Sequence, residues 1–352
     1  MTESLRYIIV GTGGFGAHWC RDVLPRLAVA GKARAVAAAD VSEDALANAR
    51  THLKLPPERC YTDVARAFDE NEADFGIVVV PPAYHEEIVD VILGHDMDVL
   101  SEKPIADTME GCARIYHKVK AAGRKMAVTM SHRFDQDKQT LERLVASGDY
   151  GEVDYIIGRN TWDYRKSPTW GAFRYKTPDA LLVEGTVHHF DIMRALADAD
   201  AKTVYAKTWT PPWADFEGDC QALITIEMTN GVKVSYEGAK ANASQLNGWC
   251  EDYWRVECDK ATLELDRRRL RVITGAIGDG AIIEEKRLDR QDVWTNAWIA
   301  EMFCDWVAGG YPPPTQLDDN IQCAALLFAA IESAHTGEVV DVQAFLQKHL
   351  RQ

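Results

Sequence analysis

At 352 residues the chain exceeds what one hydrophobic core usually serves, so two domains are expected. Hydrophobic residues at 47% and charged residues at 26% describe a globular protein, and no apolar run approaches the ~20 residues of a membrane span. A net charge of -15 opposes non-specific attraction to phosphate backbones, so neither a nucleic-acid nor a membrane partner is expected.

The segment from Met1 to Tyr7 leads straight into a strand with no signal-peptide pattern, which predicts a cytoplasmic protein. The strand, apolar from Ile8 to Val10, ends in Gly11-Thr12-Gly13-Gly14-Phe15-Gly16. In that G-x-G-x-x-G spacing Gly11 permits a tight turn, Gly13 lets backbone amides reach a pyrophosphate, and Gly16 lets the following helix pack on the strand. The context strengthens the motif: a helical pattern through Trp19, Val23, Leu24 and Leu27 follows, then a second strand from Ala33 to Ala39 that ends in Asp40. Asp40 stands about where a carboxylate holds the adenosine ribose hydroxyls. A carboxylate there repels a 2′-phosphate, and no Lys or Arg follows in residues 41–44, so NAD is expected as cofactor over NADP.

Further along, helices and strands alternate: helices near 43–53 and 63–69, and the continuous apolar run Phe75 to Val80 of a strand buried on both faces. Helix 85–93, strand 98–100, helix 109–121 and strand 125–130 complete the set. The pattern predicts an α/β, doubly wound parallel sheet over residues 1–131, with its ligand crevice at the carboxyl ends of the strands. From residue 132 to 352 the pattern changes to an α+β domain with a large, mainly antiparallel sheet: strands near 153–161, 202–209, 219–228, 232–237, 254–258 and 261–265, and helices near 137–146, 184–196, 295–307 and 318–333. Arg267, Arg268, Arg269 and Arg271 form the one dense basic cluster, predicted as a solvated hairpin. Eight scattered cysteines without a C-x-x-C pair predict reduced thiols, with neither a disulfide framework nor a zinc knuckle.

Three polar groups stand at predicted strand ends: Tyr84-His85, Glu102-Lys103-Pro104 and His132-Arg133. A lysine such as Lys103, placed there beside the nicotinamide, can donate or accept a proton. In Glu184-Gly-Thr-Val-His188-His189-Phe-Asp191, a helix would put Glu184, His188 and Asp191 at i, i+4 and i+7 on one face. Carboxylate, imidazole and carboxylate together suit proton transfer. His189, pointing away, is expected to satisfy a buried hydrogen bond. No metal is expected, because further ligands are not clustered nearby in sequence. The aromatic-rich stretch with Trp162, Tyr164, Trp170, Phe173 and Tyr175, interleaved with Arg165 and Arg174, suits stacking on a sugar or cyclitol, the arginines hinting at an acidic group.

Taken together, these motifs resemble the glucose-fructose oxidoreductase and inositol dehydrogenase (Gfo/Idh/MocA) family almost end to end. The Gly11 to Gly16 loop, Val80-Pro81-Pro82-Ala-Tyr-His85, Glu102-Lys103-Pro104, Arg133-Phe134, the Gly148 to Gly151 turn, Glu184 to Asp191, Thr336-Gly337 and Val339-Val340 carry the likeness. Two positions differ: Glu184 stands where aspartate is more frequent, and Thr186 where glycine is common. The resemblance implies catalysis by Lys103 and His188, supported by Glu184 and Asp191. It also implies cofactor contacts from Gly11, Thr12, Gly13, Gly14, Phe15, Gly16, Asp40, Pro81, Pro82, His85, Glu102, Lys103 and Arg133. Trp162, Arg165, Trp170, Arg174 and His188 are the candidate substrate contacts. The expected function is NAD(P)-dependent hydride transfer at a hydroxyl-bearing carbon of a sugar, cyclitol or related polyol, by a homodimer or homotetramer that pairs through the open face of its second-domain sheet. The alternatives are a redox-neutral NAD-dependent glycosidase or lyase and a non-catalytic sugar or nucleotide sensor; Lys103 and His188 together argue against the sensor.

Overall fold

A computed structural model describes residues 4–166, 173–278 and 280–351. The chain divides into two compact units, one running to Ser131 and resumed over Val293–Ile321, the other formed by His132–Asp292 and the chain from Gln322 onward.

In the first unit, β1 (Leu5–Val10), β2 (Ala33–Ala39), β3 (Cys60–Tyr61), β4 (Phe75–Val78), β5 (Asp98–Ser101) and β6 (Met126–Val128) form one parallel sheet in the order β3-β2-β1-β4-β5-β6. All four residues of β4 are buried, as expected for a strand covered on both faces. The first crossover helix is not uniform: Phe15–His18 is α-helical, Trp19–Val23 is a π turn and Leu24–Val29 is α-helical again. Pro25 explains the interruption, since it offers no N–H and its ring crowds the preceding turn, which widens to accommodate it. The glycine requirement is steric. Gly11 has φ +92°, and a Cβ on it would lie 2.1 Å from the Val79 carbonyl oxygen; one on Gly16 would lie 2.2 Å from the Gly11 carbonyl oxygen.

The second unit is built on a nine-stranded sheet: β7 (Val153–Thr161), β8 (Ala201–Trp209), β9 (Gln221–Met228), β10 (Lys233–Ala239), β11 (Tyr253–Cys258), β12 (Thr262–Asp266), β13 (Arg269–Thr274), β14 (Ile282–Lys286) and β15 (Val340–Asp341). Its order is β14-β13-β12-β11-β7-β10-β9-β8-β15, antiparallel except where β7 pairs with β10. Two meanders flank β7, so the strand that enters the sheet first ends at its centre. Alternating burial along β9 and β12 shows that one face is covered. The helix Val187–Ala197 is buried at ten of its eleven positions, which leaves its polar side chains facing protein rather than water.

The basic cluster does form a hairpin turn, Arg267 and Arg268 at φ 48° and 66° joining β12 to β13. It is not simply solvated. Arg268 Nη1 lies 2.8 Å from Asp135 Oδ2, and Arg269 and Arg271 pair with Glu285 and Glu264. Strands β14 and β15 and the helix Val342–Leu350 are additions to the expected set. Among the described residues no helix is long and apolar enough to cross a membrane, and the cysteines are free thiols.

Candidate functional site

The dinucleotide loop leaves β1 and enters the helix at Phe15. Gly14 is the N-cap at φ 48°, no side chain caps the helix, and its first turn carries no acidic residue. A Cβ on Gly14 would meet nothing within 4 Å. Open space over uncapped first-turn amides is what a pyrophosphate requires, so the residues present fit NAD. Asp40, at the end of β2, accepts from the Thr12 and Gly13 amides through Oδ2 (2.7 and 3.1 Å) and from Ser42 N through Oδ1 (2.9 Å). Its carboxylate therefore braces the loop. Phe15, half exposed at the helix start, lies against the His18 ring.

Two residues past β5, Lys103 stands half-buried at the carboxyl edge of the same sheet, where β1 and β4 also end. Glu102 is its anchor. The Glu102 amide donates to Val78 O (2.9 Å), its Oε1 accepts from the Trp19 indole (2.8 Å) and its Oε2 from the Lys103 amide (3.3 Å). Burial pushes the Glu102 carboxyl up from its ordinary value. Pro81 and Pro82 lead into the short helical turn Pro82–Tyr84 after β4. His85 is fully buried, its Nε2 2.9 Å from Val80 O and its Nδ1 3.2 Å from Ile105 O. Burial lowers its pKa, and the neutral ring has one N–H, so it donates to one of these carbonyls while its other nitrogen packs against the second. The ring thus braces one loop against the other.

In the second unit, Leu182–Thr186 is a π turn and α-helix begins only at Val187. A π turn needs an extra residue to come round, so the i, i+4 alignment expected for Glu184 and His188 is not that of a regular α-helix. Glu184 meets Arg174. His188 and Asp191 remain one α-turn apart and both are buried. Asp191 Oδ1 lies 3.7 Å from Arg133 Nη1 and 3.9 Å from Arg194 Nη1, while Arg133 also holds Glu142 at 2.8 Å. His189 has the structural placement expected of it: Nδ1 is 2.9 Å from the Tyr236 hydroxyl and Nε2 is 3.6 Å from Asp252.

Sequence reading missed the group around Asp252. His132, His189 and Asp252, from stretches far apart in the chain, bring ligand-type atoms within 4.8 Å of one another, so residues unclustered in sequence cluster in the fold. Their chemistry favours a protonated network over a cation. Lys138 Nζ, itself buried, lies 3.4 Å from Asp252 Oδ2, 3.0 Å from Asp137 and 3.2 Å from Asp135, and already supplies positive charge. Burial opposes the charge on Lys138, yet Asp252, Asp137 and Asp135 raise its pKa; burial likewise opposes that of Asp252, which His132 and Lys138 hold well below the carboxylate range. Burial pushes His132 down to about 4, so at neutral pH the ring is uncharged and donates from Nε2 to Asp252 Oδ2 at 2.5 Å.

A pH dependence follows. Between about pH 4 and 6.5 the unfolded chain protonates at this histidine while the folded one does not, so stability is lost as pH falls through that window, by roughly 3 kcal/mol from this group. Urea melts at pH 7 and 4.5 measure the loss, and His132→Gln is expected to shrink it; an equal loss in the variant would refute the assignment.

Of the aromatic stretch, Trp162 stacks on Tyr164 (4.7 Å, 20°) and donates from Nε1 to Asn160 Oδ1 at 2.7 Å. Asn160 Nδ2 in turn donates to Asp252 Oδ1 at 2.6 Å. Arg165 is paired with Asp163 at 2.7 Å, and Arg174 with Glu184. Trp170 lies outside the described residues. The aromatic that sequence reading did not single out is Trp249, whose ring stacks on His132 (4.1 Å, 26°) and stands edge-on to His188 (5.3 Å, 76°). Its one legible signal was its position in the polar loop 245–251, between two strands.

Comparison with known proteins agrees with the fold. Residues 5–130 match a family described as oxidoreductase, NAD-binding Rossmann fold, and residues 139–264 match the GFO/IDH/MocA C-terminal domain. The chain is 43% identical to the uncharacterized protein y4oX of Sinorhizobium fredii over 97% of this chain and 96% of that one. It is 28% identical to an inositol 2-dehydrogenase of Pseudomonas fluorescens, over 96% of each. An oxidoreductase from Agrobacterium radiobacter, solved with NAD+, L-tartaric acid and magnesium, shares the fold at 21% identity with a TM-score of 0.82, over 97% of this chain and 99% of that one. With a glycine loop built for a dinucleotide in the first unit and both halves matched by the corresponding family domains, the chain belongs to the Gfo/Idh/MocA family of NAD-binding oxidoreductases.

Proposed function

We propose that the protein is a dehydrogenase that oxidises a hydroxyl-bearing carbon of a sugar, cyclitol or related polyol, with NAD preferred over NADP. The observation that carries this reading is Lys103, half-buried at the carboxyl edge of the sheet that also presents the dinucleotide loop. NAD held at the Gly11 to Gly16 loop would supply the hydride acceptor. Lys103 donates a hydrogen bond to the oxygen that becomes a carbonyl, and His188 removes the hydroxyl proton. Buried Asp191, one α-turn along, and Glu184 support the second unit's part in that proton transfer. Relatives named inositol 2-dehydrogenase support the substrate class.

Asp40 carries the cofactor choice: its carboxylate sits at the end of β2 and repels a 2′-phosphate. Asp40→Ala is expected to weaken NAD use and narrow the preference over NADP by about tenfold or more, a factor worth ~1.4 kcal/mol. Because the carboxylate also braces the loop, some loss with both cofactors is expected, so the NAD to NADP ratio of kcat/KM is the informative quantity. An unchanged ratio would remove Asp40 from cofactor selection.

The test of the reaction is nicotinamide reduction, followed by absorbance, with NAD and then NADP against aldoses, inositols, anhydrosugars and uronic acids. Reduction that depends on Lys103 supports the proposal; absence of reduction with all of them overturns it. The same reading includes a homodimer or homotetramer, for which the sheet's uncovered face offers Tyr155, Ile157, Tyr205 and the exposed Leu223. It also places the enzyme in the cytoplasm, where its free cysteines stay reduced.

A further inference from the structure

We infer that Trp249 is the platform on which the substrate is stacked, and that it selects a six-membered polyhydroxylated ring over an open-chain polyol. The inference rests on the reading of His188 as the group that takes the hydroxyl proton. Trp249 is half-buried, with one side of its indole taken by His132 at 4.1 Å. The His188 ring stands edge-on to it at 5.3 Å, and Trp162 lies tilted against it at 6.1 Å. One face of the indole is thus taken by His132, and the imidazole proposed for proton transfer and a second indole stand around the same ring. A flat aromatic surface in such a place pairs with the C–H face of a ring, whose hydroxyls project outward toward polar partners.

What sets Trp249 apart from a chance surface aromatic is the frame behind it. His132 is fixed by Asp252 at 2.5 Å, and Trp162 is fixed through Asn160 by the other oxygen of the same carboxylate at 2.6 Å. One buried, Lys138-backed carboxylate therefore holds the imidazole stacked on Trp249 and, through Asn160, the Trp162 indole. His132, Asn160 and Asp252 act through these rings as positioning residues. A platform held in advance favours a ligand that is itself rigid, because an open-chain polyol loses rotational freedom on binding and presents no continuous C–H face.

The experiment is saturation-transfer NMR on the protein loaded with NADH, irradiating aromatic protons, with myo-inositol, glucose and glucuronic acid as cyclic probes and glucitol as the open-chain control. At least one cyclic probe is expected to receive saturation on its ring C–H protons and to bind at least tenfold more tightly than glucitol. Trp249→Ala and Trp249→Leu are expected to weaken that probe at least tenfold with NADH affinity unchanged, and Trp249→Phe to restore most of the loss. Leu keeps the bulk without the π face, so it holds the test if the alanine variant fails to fold. Glucitol binding equal to the cyclic probes, retention of binding in the leucine variant, or no binding by any cyclic probe would each overturn the inference. The dehydrogenase reading fails on a different result, the absence of Lys103-dependent cofactor reduction.

Discussion

Replacing Lys103 by methionine is expected to remove most of the turnover while NAD binding survives. Methionine keeps the length and the apolar stem of the side chain and removes only the ammonium group. The local backbone does not depend on that group, because Glu102 and Lys103 are tied by their amides to Val78 O and to the Glu102 carboxylate. The loop that receives the dinucleotide lies at Gly11 to Gly16 and is braced by Asp40. A positioned proton donor contributes about 10²- to 10⁴-fold, so kcat should fall by that order. NAD affinity, read by calorimetry, should stay within about threefold, less than ~1 kcal/mol. Retained turnover would remove Lys103 from the chemistry; lost affinity would reassign it to cofactor binding.

A second large effect is expected from Lys138→Met. Lys138 is the ammonium among Asp135, Asp137 and Asp252, at 3.2, 3.0 and 3.4 Å, with its side chain 1% exposed. Removing it leaves three carboxylates with Arg268 as the neighbouring cation, and the cost of stranding buried charge is about 3 to 5 kcal/mol. Against a typical total of roughly 5 to 15 kcal/mol, that is much of the stability. The sign with pH is also distinctive. Without the ammonium the folded carboxylates take up protons more readily, so the deficit relative to wild type should shrink as the solution is acidified. Urea melts at two pH values read both effects, and a companion Asp252→Asn change should recover part of the loss. A deficit below ~1 kcal/mol would mean that water or rearrangement replaces the ammonium, and the account of the network would fall.

Much of this protein is written locally in its sequence. The glycine loop, the apolar strand Phe75–Val78 and Lys103 after β5 are legible because a strand, its turn and the next helix are consecutive, and Gly16 is confined by Gly11 of the same motif, although Gly11 is itself confined by Val79 from a distant strand end. Alternating burial likewise made the strands of the second sheet readable one by one. Their arrangement was not: β7 pairs parallel with β10, about 80 residues away, because two separate meanders close around it, and no local pattern encodes which edge remains open. The π turn at Leu182–Thr186 undid the helical spacing assumed for Glu184, since a hydrophobic period cannot report one extra residue in a turn. Above all, Asp252, His132, Lys138 and Trp249 meet only in the folded chain. Of these only His132 stood out in its own stretch, and their joint meaning comes from burial, which makes a charge costly unless a partner from elsewhere in the chain is brought to it. Local stereochemistry thus determined the dinucleotide site, and only tertiary packing decided what surrounds His188.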